Sequence, residues 1–250
     1  MHNLKQNKNK KIFVYAHRGV PESYPENTMI SFLEAVSLEY DGVELDVLIT
    51  KDKKLIVFHD KKINHLNHQV LSLEYNTIKQ TFLKKENPFE VPLLNEVLEK
   101  IGHKTILNLE IKNQGTISKT EVIYKTIKSL KKYNLVNNII ISSFSPSIIK
   151  QSKKIDDRYK TAWIWGKKNY HAYSSCKFFL NYYQADRIHL HHSLATKRLI
   201  NRIQKRNKKI FVYTVNQASL LKKLQLKNID GIFTDSPKIL KLSRKTDDES

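Results

Sequence analysis

Short runs of apolar and β-branched residues alternate along this chain with longer amphipathic segments. That alternation is typical of repeated strand-helix units built around a parallel sheet. The pattern predicts strands near 12–16, 43–49, 55–58, 105–111, 139–143, 160–164, 187–190, 210–214 and 231–234. It predicts helices near 28–39, 93–101, 119–132, 146–153, 196–206 and 217–226. The economical architecture is a closed α/β barrel of the TIM type, for which 250 residues is a common length.

The second and third predicted strands are too close in sequence for a crossover helix between them. Residues 55–58 must therefore return antiparallel to 43–49. A turn symmetric about Asp52 and Lys53 places Asp46 opposite His59, with Cβ atoms roughly 5 Å apart. We expect an eight-stranded barrel that is distorted by a β-hairpin over 43–58.

Helix starts and irregular segments complete the expected organisation of one domain over 1–250. Asn27 or Thr28 is predicted to cap the first helix, and Asn216 to cap the helix that begins at residue 217. Residues 60–91 carry no clear barrel element and are expected to cross the barrel mouth as a small insertion, with a short helix at 74–83. The polar end, 243–250, is expected to be a flexible tail.

The charge balance favours anionic partners. Lys and Arg number 44 against 24 Asp and Glu, which gives a formal net charge of +20. Phosphates, nucleic acid and acidic membrane surfaces all suit such a charge. Many of the lysines lie in segments typical of solvent-exposed faces, and no basic segment is interleaved with aromatic residues as in an RNA-binding sheet. We therefore expect no nucleic-acid partner, whereas peripheral contact with a membrane is compatible with the charge.

Cysteine content and hydropathy predict the compartment. The single cysteine, Cys176, cannot form an internal disulfide or a thiolate metal cluster, which favours a reducing environment. Residues 1–11 are polar and basic, without the apolar stretch of a secretory signal. No apolar run approaches the roughly 18 residues of a membrane-spanning helix. These features predict a soluble, cytoplasmic protein and leave its oligomeric state open.

Five short stretches, each at the end of an apolar run, carry residues suited to acid-base, metal and anion chemistry. They are Ala16-His17-Arg18-Gly19, Pro25-Glu26-Asn27-Thr28, Val43-Glu44-Leu45-Asp46-Val47, Val57-Phe58-His59-Asp60 and Asn108-Leu109-Glu110-Ile111-Lys112. Since side chains alternate faces along a strand, the charged members of each strand should project to one side. The first half of the chain therefore concentrates the candidate functional residues.

The carboxylates Glu44, Asp46 and Glu110 are candidate metal ligands. Burying charged groups without partners is costly, so they must pair with cations or surround a metal ion. Three carboxylates suit a hard cation, Ca²⁺ or Mg²⁺, better than zinc. A structural lattice of ion pairs with Lys112 and Arg18 is the alternative, and we favour the metal site over it.

His17 and His59 are the candidate acid-base residues. Each ends a predicted strand, where barrel enzymes place their functional groups, and imidazole titrates close to neutral pH. The other eight histidines are interpreted as ordinary surface or core residues. Arg18 offers a planar fork for phosphate oxygens, and Lys112 offers a compact charge beside Glu110.

In these motifs the chain resembles the glycerophosphodiester phosphodiesterases of the phospholipase-C-like phosphodiesterase barrel superfamily. The resemblance continues, in order, through Thr50-Lys51-Asp52, Pro92-Leu93-Leu94-Asn95-Glu96-Val97-Leu98, Ser142-Ser143-Phe144, Thr214-Val215-Asn216 and Asp230-Gly231-Ile232-Phe233-Thr234-Asp235-Ser236-Pro237. It implies a barrel enzyme that hydrolyses glycerophosphodiesters to glycerol 3-phosphate and an alcohol, with a divalent cation held by Glu44, Asp46 and Glu110. It also implies that the glycerol 2-hydroxyl attacks phosphorus and that water opens the resulting cyclic phosphate. His17 and His59 would exchange acid and base roles between these steps.

Two aromatic residues and two other functions remain to be weighed. Phe144 and Tyr213 are candidate apolar walls of a substrate pocket, although core packing explains each equally well. A lipid-directed enzyme resembling lysophospholipase D would need an exposed apolar patch near the barrel mouth. A non-catalytic phosphate-binding barrel is the other alternative. All seven inferred charged and histidine site residues are present, which favours an enzyme.

Overall fold

The computed structural model describes residues 11–63, 66–84, 88–167 and 183–245. Its strands are β1 (Phe13–Ala16), β2 (Gly42–Ile49), β3 (Leu55–Val57), β4 (Lys62–Ile63), β5 (His68–Gln69), β6 (Ile106–Ile111), β7 (Ile139–Ser143), β8 (Lys160–Trp165), β9 (Arg187–His191), β10 (Lys209–Tyr213) and β11 (Gly231–Thr234). Its α-helices are α1 (Met29–Ser37), α2 (Tyr75–Leu83), α3 (Leu94–Ile101), α4 (Thr116–Lys132), α5 (Pro146–Ile155), α6 (Lys197–Gln204), α7 (Ala218–Gln225) and α8 (Pro237–Lys245). Every strand and helix predicted from the sequence is present within a few residues.

Some sequence predictions concern residues that the structure does not describe. Cys176, His65, His171 and residues 246–250 lie outside the described residues. Within the described part of the chain, the helices are too short or too polar for any of them to cross a bilayer.

Eight parallel strands form a closed TIM-type barrel, as predicted. Their order is β1, β11, β10, β9, β8, β7, β6 and β2, and β2 pairs again with β1 to close the circle. In the parallel register of β2 with β6, Asp46 lies opposite Glu110 and Glu44 lies opposite Asn108. The acidic residues of the two strands are thereby neighbours on the inner face of the barrel.

The core has two layers because strand residues alternate. The apolar residues between the carboxylates, such as Val43 and Leu45, belong to the large buried cluster that includes Phe32 of α1 and Leu98 of α3. A second cluster fills the barrel interior with the side chains Tyr15, Ile140, Ala162, Phe211 and Phe233. Helices therefore cover the outside, and side chains pack the barrel interior.

The β2–β3 hairpin is antiparallel, but its register differs from the prediction by one residue. Asp46 lies opposite Phe58, whose N–H donates to the Asp46 carbonyl at 3.0 Å, so the predicted pairing with His59 was wrong. The turn is not symmetric about Asp52 and Lys53. Lys53 itself adopts a left-handed conformation with φ 62° and donates to the Thr50 carbonyl at 3.1 Å. A three-residue turn of this kind changes the pairing by one position.

The insertion at 60–91 packs as a small unit against the hairpin. Strands β4 and β5 pair with each other outside the barrel sheet, and the predicted helix is present as α2. Ile63, Val70 and Ile78 bury their side chains against Leu48 and Ile56 of the hairpin. This second apolar cluster fixes the insertion beside the barrel.

One predicted helix cap was wrong, while the cap of α1 was right. Thr28 accepts a hydrogen bond from the N–H of Ser31 at the start of α1. Gln217, not Asn216, precedes α7, because the Asn216 side chain is committed to another residue described below. Helix α8 continues past the predicted start of the tail, and Ser243 is buried against the core.

Candidate active site

The sequence-predicted site residues meet around one cavity at the carboxyl ends of the barrel strands. The cavity has a volume of about 170 Å³. Eight of the predicted residues line it, namely His17, Arg18, Glu44, His59, Glu110, Lys112, Phe144 and Tyr213. The ninth, Asp46, is completely buried and forms ion pairs with Lys112 and Arg18. The structure therefore brings all nine together.

Glu44, Asp46 and Glu110 form a compact acidic cluster, called here the acidic trio. Each offers a carboxylate oxygen, and these oxygens lie within 4.8 Å of one another. All three residues are buried. Burial, together with the neighbouring charges of Asp46 and Glu110, raises the pKa of Glu44 to about 8.

Two cationic side chains partly compensate the acidic trio. Lys112 Nζ lies 2.7 Å from Asp46 Oδ1 and 2.6 Å from Glu110 Oε1. Arg18 Nε lies 3.3 Å from Asp46 Oδ2, and the Arg18 backbone N–H donates to Glu44 Oε2 at 3.0 Å. Burial alone would raise the pKa of Asp46, but the charges of Lys112 and Arg18 lower it. Three carboxylates thus face two cationic side chains.

This donor set fits a hard divalent cation. Asp46 Oδ1 is buried, and its close contact is the Lys112 ammonium at 2.7 Å. Such an oxygen retains capacity for a further ligand. Carboxylate oxygens in this number and spacing suit Ca²⁺ or Mg²⁺, and a bound cation would favour the ionised form of Glu44, whose pKa is raised by burial and by its acidic neighbours.

His17 is oriented by a carboxylate from the far end of the chain. Strands β1 and β11 are parallel neighbours, so the residues that follow them, His17 and Asp235, lie side by side. His17 Nδ1 is 2.7 Å from Asp235 Oδ1, and Asn216 Nδ2 donates to Asp235 Oδ2 at 2.5 Å. Burial would lower the pKa of His17, but the hydrogen bond that its ring donates to Asp235 and the charge of Glu44 raise the pKa above the ordinary value. Nε2 is the ring nitrogen left for chemistry.

His59 has an equivalent carboxylate partner from its own neighbour in sequence. Its Nδ1 lies 2.8 Å from Asp60 Oδ1. The His59 side chain is 35% exposed, against 19% for His17, so it stands closer to solvent. Both imidazoles are therefore held at Nδ1 and offer Nε2, which is the arrangement that prepares histidine for proton transfer.

The loops after β1 explain two of the sequence motifs. Arg18 and Gly19 both have positive φ, 59° and 88°. A Cβ atom at position 19 would lie 2.3 Å from Ser31 Oγ, so only glycine fits there.

Asn27 Nδ2 donates to Asp46 Oδ2 at 2.8 Å, and the Asp46 N–H donates to Asn27 Oδ1 at 3.1 Å. The first motif thus shapes the turn below Arg18, and the second positions a member of the acidic trio.

Phe144 and Tyr213 form one apolar side of the cavity. Their rings meet edge to face with centroids 6.3 Å apart. The Tyr213 hydroxyl donates to the Trp165 carbonyl at 3.1 Å, which fixes the ring. Phe144 is 45% exposed, so it lies at the rim of the cavity and not in the core.

Comparison with known proteins identifies the family. The sequence matches the model of the Glycerophosphoryl diester phosphodiesterase family over residues 17–239. The chain belongs to this family. A glycerophosphodiester phosphodiesterase of Caldanaerobacter subterraneus subsp. tengcongensis is 32% identical over 248 residues, covering 92% of this chain and 96% of that one. As a member of the family, the chain is a phosphodiesterase.

Solved structures share the barrel of this phosphodiesterase. An Oleispira antarctica phosphodiesterase in complex with the product sn-glycerol-3-phosphate superposes with a TM-score of 0.82 at 23% identity, covering 93% of this chain and 96% of that one. A Thermotoga maritima glycerophosphodiester phosphodiesterase superposes with a TM-score of 0.77 at 24% identity, covering 92% and 96%. At these identities the likeness establishes the fold.

Sequence reasoning missed several residues of this family member's site. Asp235, Asn216 and Asn27 position His17 and Asp46. From the sequence, Asp235 was recognised only as part of a motif, and the two asparagines only as motif residues or candidate helix caps. His189 was interpreted as an ordinary histidine, but it is buried and lines the cavity. Burial and the nearby charge of Arg187 lower the pKa of His189 well below its usual value, so the ring is neutral. The alternation of polar and apolar residues along β9 is the signal that could have placed it inside the barrel.

Proposed function

We propose that this chain hydrolyses glycerophosphodiesters to sn-glycerol 3-phosphate and an alcohol, in glycerophospholipid metabolism. The observation that carries the proposal is one cavity where two carboxylate-held histidines meet the acidic trio and two cationic side chains. Groups for proton transfer, for cation binding and for contact with phosphate oxygens thereby lie within reach of one phosphodiester.

The acidic trio would hold the divalent cation, Ca²⁺ or Mg²⁺. When bound, the cation supplies positive charge that polarises the phosphoryl oxygens and the attacking hydroxyl. Arg18 and Lys112 would add to this by stabilising negative charge that develops at phosphorus. The Arg18 guanidinium is already fixed by Glu26, whose Oε2 lies 2.9 Å from Nη1, so little conformational freedom is lost when a phosphate binds.

His17 and His59 would move the protons through Nε2. We assign the first base role to His17, the more enclosed ring, and the first acid role to His59, beyond which a second cavity opens for the departing alcohol. His17 accepts the proton of the glycerol 2-hydroxyl as its oxygen attacks phosphorus, and His59 donates a proton to the alcohol that leaves. His59 then takes a proton from water, whose oxygen opens the cyclic phosphate. His17 returns its proton to the glycerol 2-oxygen.

Release of glycerol 3-phosphate from glycerophosphocholine and glycerophosphoethanolamine tests the proposal. We expect wild type to turn over both, chelator to abolish turnover, and Ca²⁺ or Mg²⁺ to restore it. His17→Ala and His59→Ala should each lose at least about 100-fold in rate. Turnover that survives chelation would remove the cation from the proposal, and full activity in both variants would remove the two-histidine chemistry.

An apolar groove favours a second candidate function, cleavage of lysophospholipids. The groove has a volume of about 550 Å³ and is lined in part by Pro25, Met29, Ile30 and Phe89. Ile30 is 54% exposed, and Pro25 adjoins the loop that carries Arg18's partner Glu26. An acyl chain lying in this groove would keep its head group near the active-site cavity. Choline release from lysophosphatidylcholine, compared with release from glycerophosphocholine, distinguishes the two candidates.

A further inference from the structure

A second cavity adjoins the active-site cavity and shares two residues with it. It has a volume of about 420 Å³ and is lined by His59, Asp60, Lys61, Lys62, Gln69 and Lys112. His59 and Lys112 line the smaller cavity as well. The two cavities therefore meet at His59 and Lys112. We call the larger one the outer cavity.

The outer cavity presents positive charge to a ligand. The Asp60 carboxylate already binds His59 at 2.8 Å. The Lys112 ammonium already contacts two carboxylates of the acidic trio. Of the remaining lining residues, Gln69 is neutral, so the charge offered to a ligand is that of the exposed Lys61 and Lys62.

The backbone under these two lysines is anchored. Lys62 belongs to β4, which pairs with β5, and the N–H of Val70 donates to the Lys61 carbonyl at 2.8 Å. Ile63 and Val70 are buried in the apolar cluster that joins the insertion to the hairpin. The two charges are thus carried by a packed part of the fold and stay close to His59.

We propose that the outer cavity is a subsite for the leaving group, and that it selects diesters whose alcohol carries a negative charge, such as a second phosphate. This inference rests on the proposed function. The active-site cavity is the smaller of the two, at about 170 Å³ against about 420 Å³, and its charged lining suits the glycerol phosphate arm. The alcohol arm then extends past His59 into the outer cavity. A cationic head group such as choline meets two like charges there, whereas an anionic one meets two opposite charges.

The overall charge of the protein does not explain such a preference by itself. A net charge of +20 attracts every anionic substrate in proportion to its total charge. A subsite beside His59 instead depends on two particular lysines. Removing the same number of charges elsewhere on the surface separates the two effects.

The test uses three diesters that share the glycerol phosphate arm, namely glycerophosphoinositol 4-phosphate, glycerophosphoinositol and glycerophosphocholine. Their leaving groups are anionic, neutral and cationic, and the first two differ only by the additional phosphate. We would measure kcat/KM for wild type and for the double variant Lys61→Gln with Lys62→Gln. The control is Lys222→Gln with Lys223→Gln, which removes the same charge from the exposed face of α7.

We expect wild type to favour the anionic over the cationic leaving group by about tenfold. The Lys61/Lys62 variant should lose most of that preference and change by less than about twofold on glycerophosphoinositol, while the control keeps the preference. Equal kcat/KM for all three substrates in wild type, or an equal loss of preference in both double variants, would overturn the subsite alone. If wild type hydrolyses none of the three diesters, the proposed function is overturned, and the subsite with it.

Discussion

The hydrogen bond between Asp235 and His17 gives the most specific mechanistic prediction. Asp235→Asn keeps the shape of the side chain but removes the charge that orients the imidazole. His17 Nδ1 and Asp235 Oδ1 are 2.7 Å apart, and the two side chains are 19% and 27% exposed. A hydrogen bond to a charged group contributes about 1.5–3 kcal/mol when well formed, and partial exposure reduces that by screening.

The expected shift follows from this energy. Losing this bond removes part of what favours the protonated ring, so we expect the pKa of His17 to fall in Asp235→Asn. The sign is downward, because the bond favours the protonated ring while burial disfavours it. In the pH profile of kcat/KM, the limb that reports His17 should therefore move to lower pH. The rate should also fall roughly 100-fold, since Asn can hold the wrong tautomer.

Two measurements check this prediction, the pH profile of glycerol 3-phosphate release and NMR titration of the His17 ring. Asp186→Asn is a matched control, because it removes a carboxylate that binds Lys153 away from the cavity and should leave the profile in place. An unshifted limb with an undiminished rate in Asp235→Asn would refute the orienting role of Asp235.

Three further predictions concern stability and binding. Lys112→Met leaves two buried carboxylates without their ammonium partner. The free energy of unfolding, measured with urea in the presence of chelator, should therefore fall by about 3 kcal/mol, and a fall below about 1 kcal/mol would contradict this. Burial would raise the pKa of Asp186, but hydrogen bonds from Lys153 and the N–H of Thr161 lower it. The ionised Asp186 therefore contributes its full stabilisation of the fold above the pKa of the unfolded state, about 3.9. That contribution declines as the pH falls through the lower pKa of the folded state. Asp186→Asn should therefore cost about 1–2 kcal/mol at pH 7 and less at about pH 2.5, whereas an equal cost at both pH values would contradict the lowered pKa. Phe144→Ala should raise KM about threefold with little change in kcat if the exposed ring binds substrate, and an unchanged KM would exclude that role.

Alternation along strands was enough to predict the acidic trio. Glu44 and Asp46 are separated by one apolar residue, as are the polar members of β6, and parallel pairing then places Asp46 opposite Glu110. The strand-end positions of His17 and His59 located them at the barrel mouth for the same reason. These features depend on local periodicity and on the rule that parallel strands end at the same edge of the sheet.

Features set by turns and by barrel closure could not be predicted in the same way. The hairpin register depends on the left-handed conformation of Lys53, which no glycine marks. The contact of His17 with Asp235 joins residues 218 positions apart and exists because the first and last strands pair. Aligning the carboxyl ends of the first and last strands would have predicted this contact. Asn216 does not cap α7, because its side chain donates a hydrogen bond to Asp235 instead.

Titration calorimetry of Mg²⁺ and Ca²⁺ into the chelator-treated protein tests the central claim, that the acidic trio binds a divalent cation. We expect saturable binding to one site in wild type, at least about tenfold weaker in Glu44→Gln, Asp46→Asn and Glu110→Gln, and unchanged in Asp186→Asn. Because burial and its acidic neighbours raise the pKa of Glu44 to about 8, binding at pH 7 should also release about one proton, visible as a heat that varies with the buffer. Absence of binding in wild type, or equal affinity in all the variants, would contradict the claim.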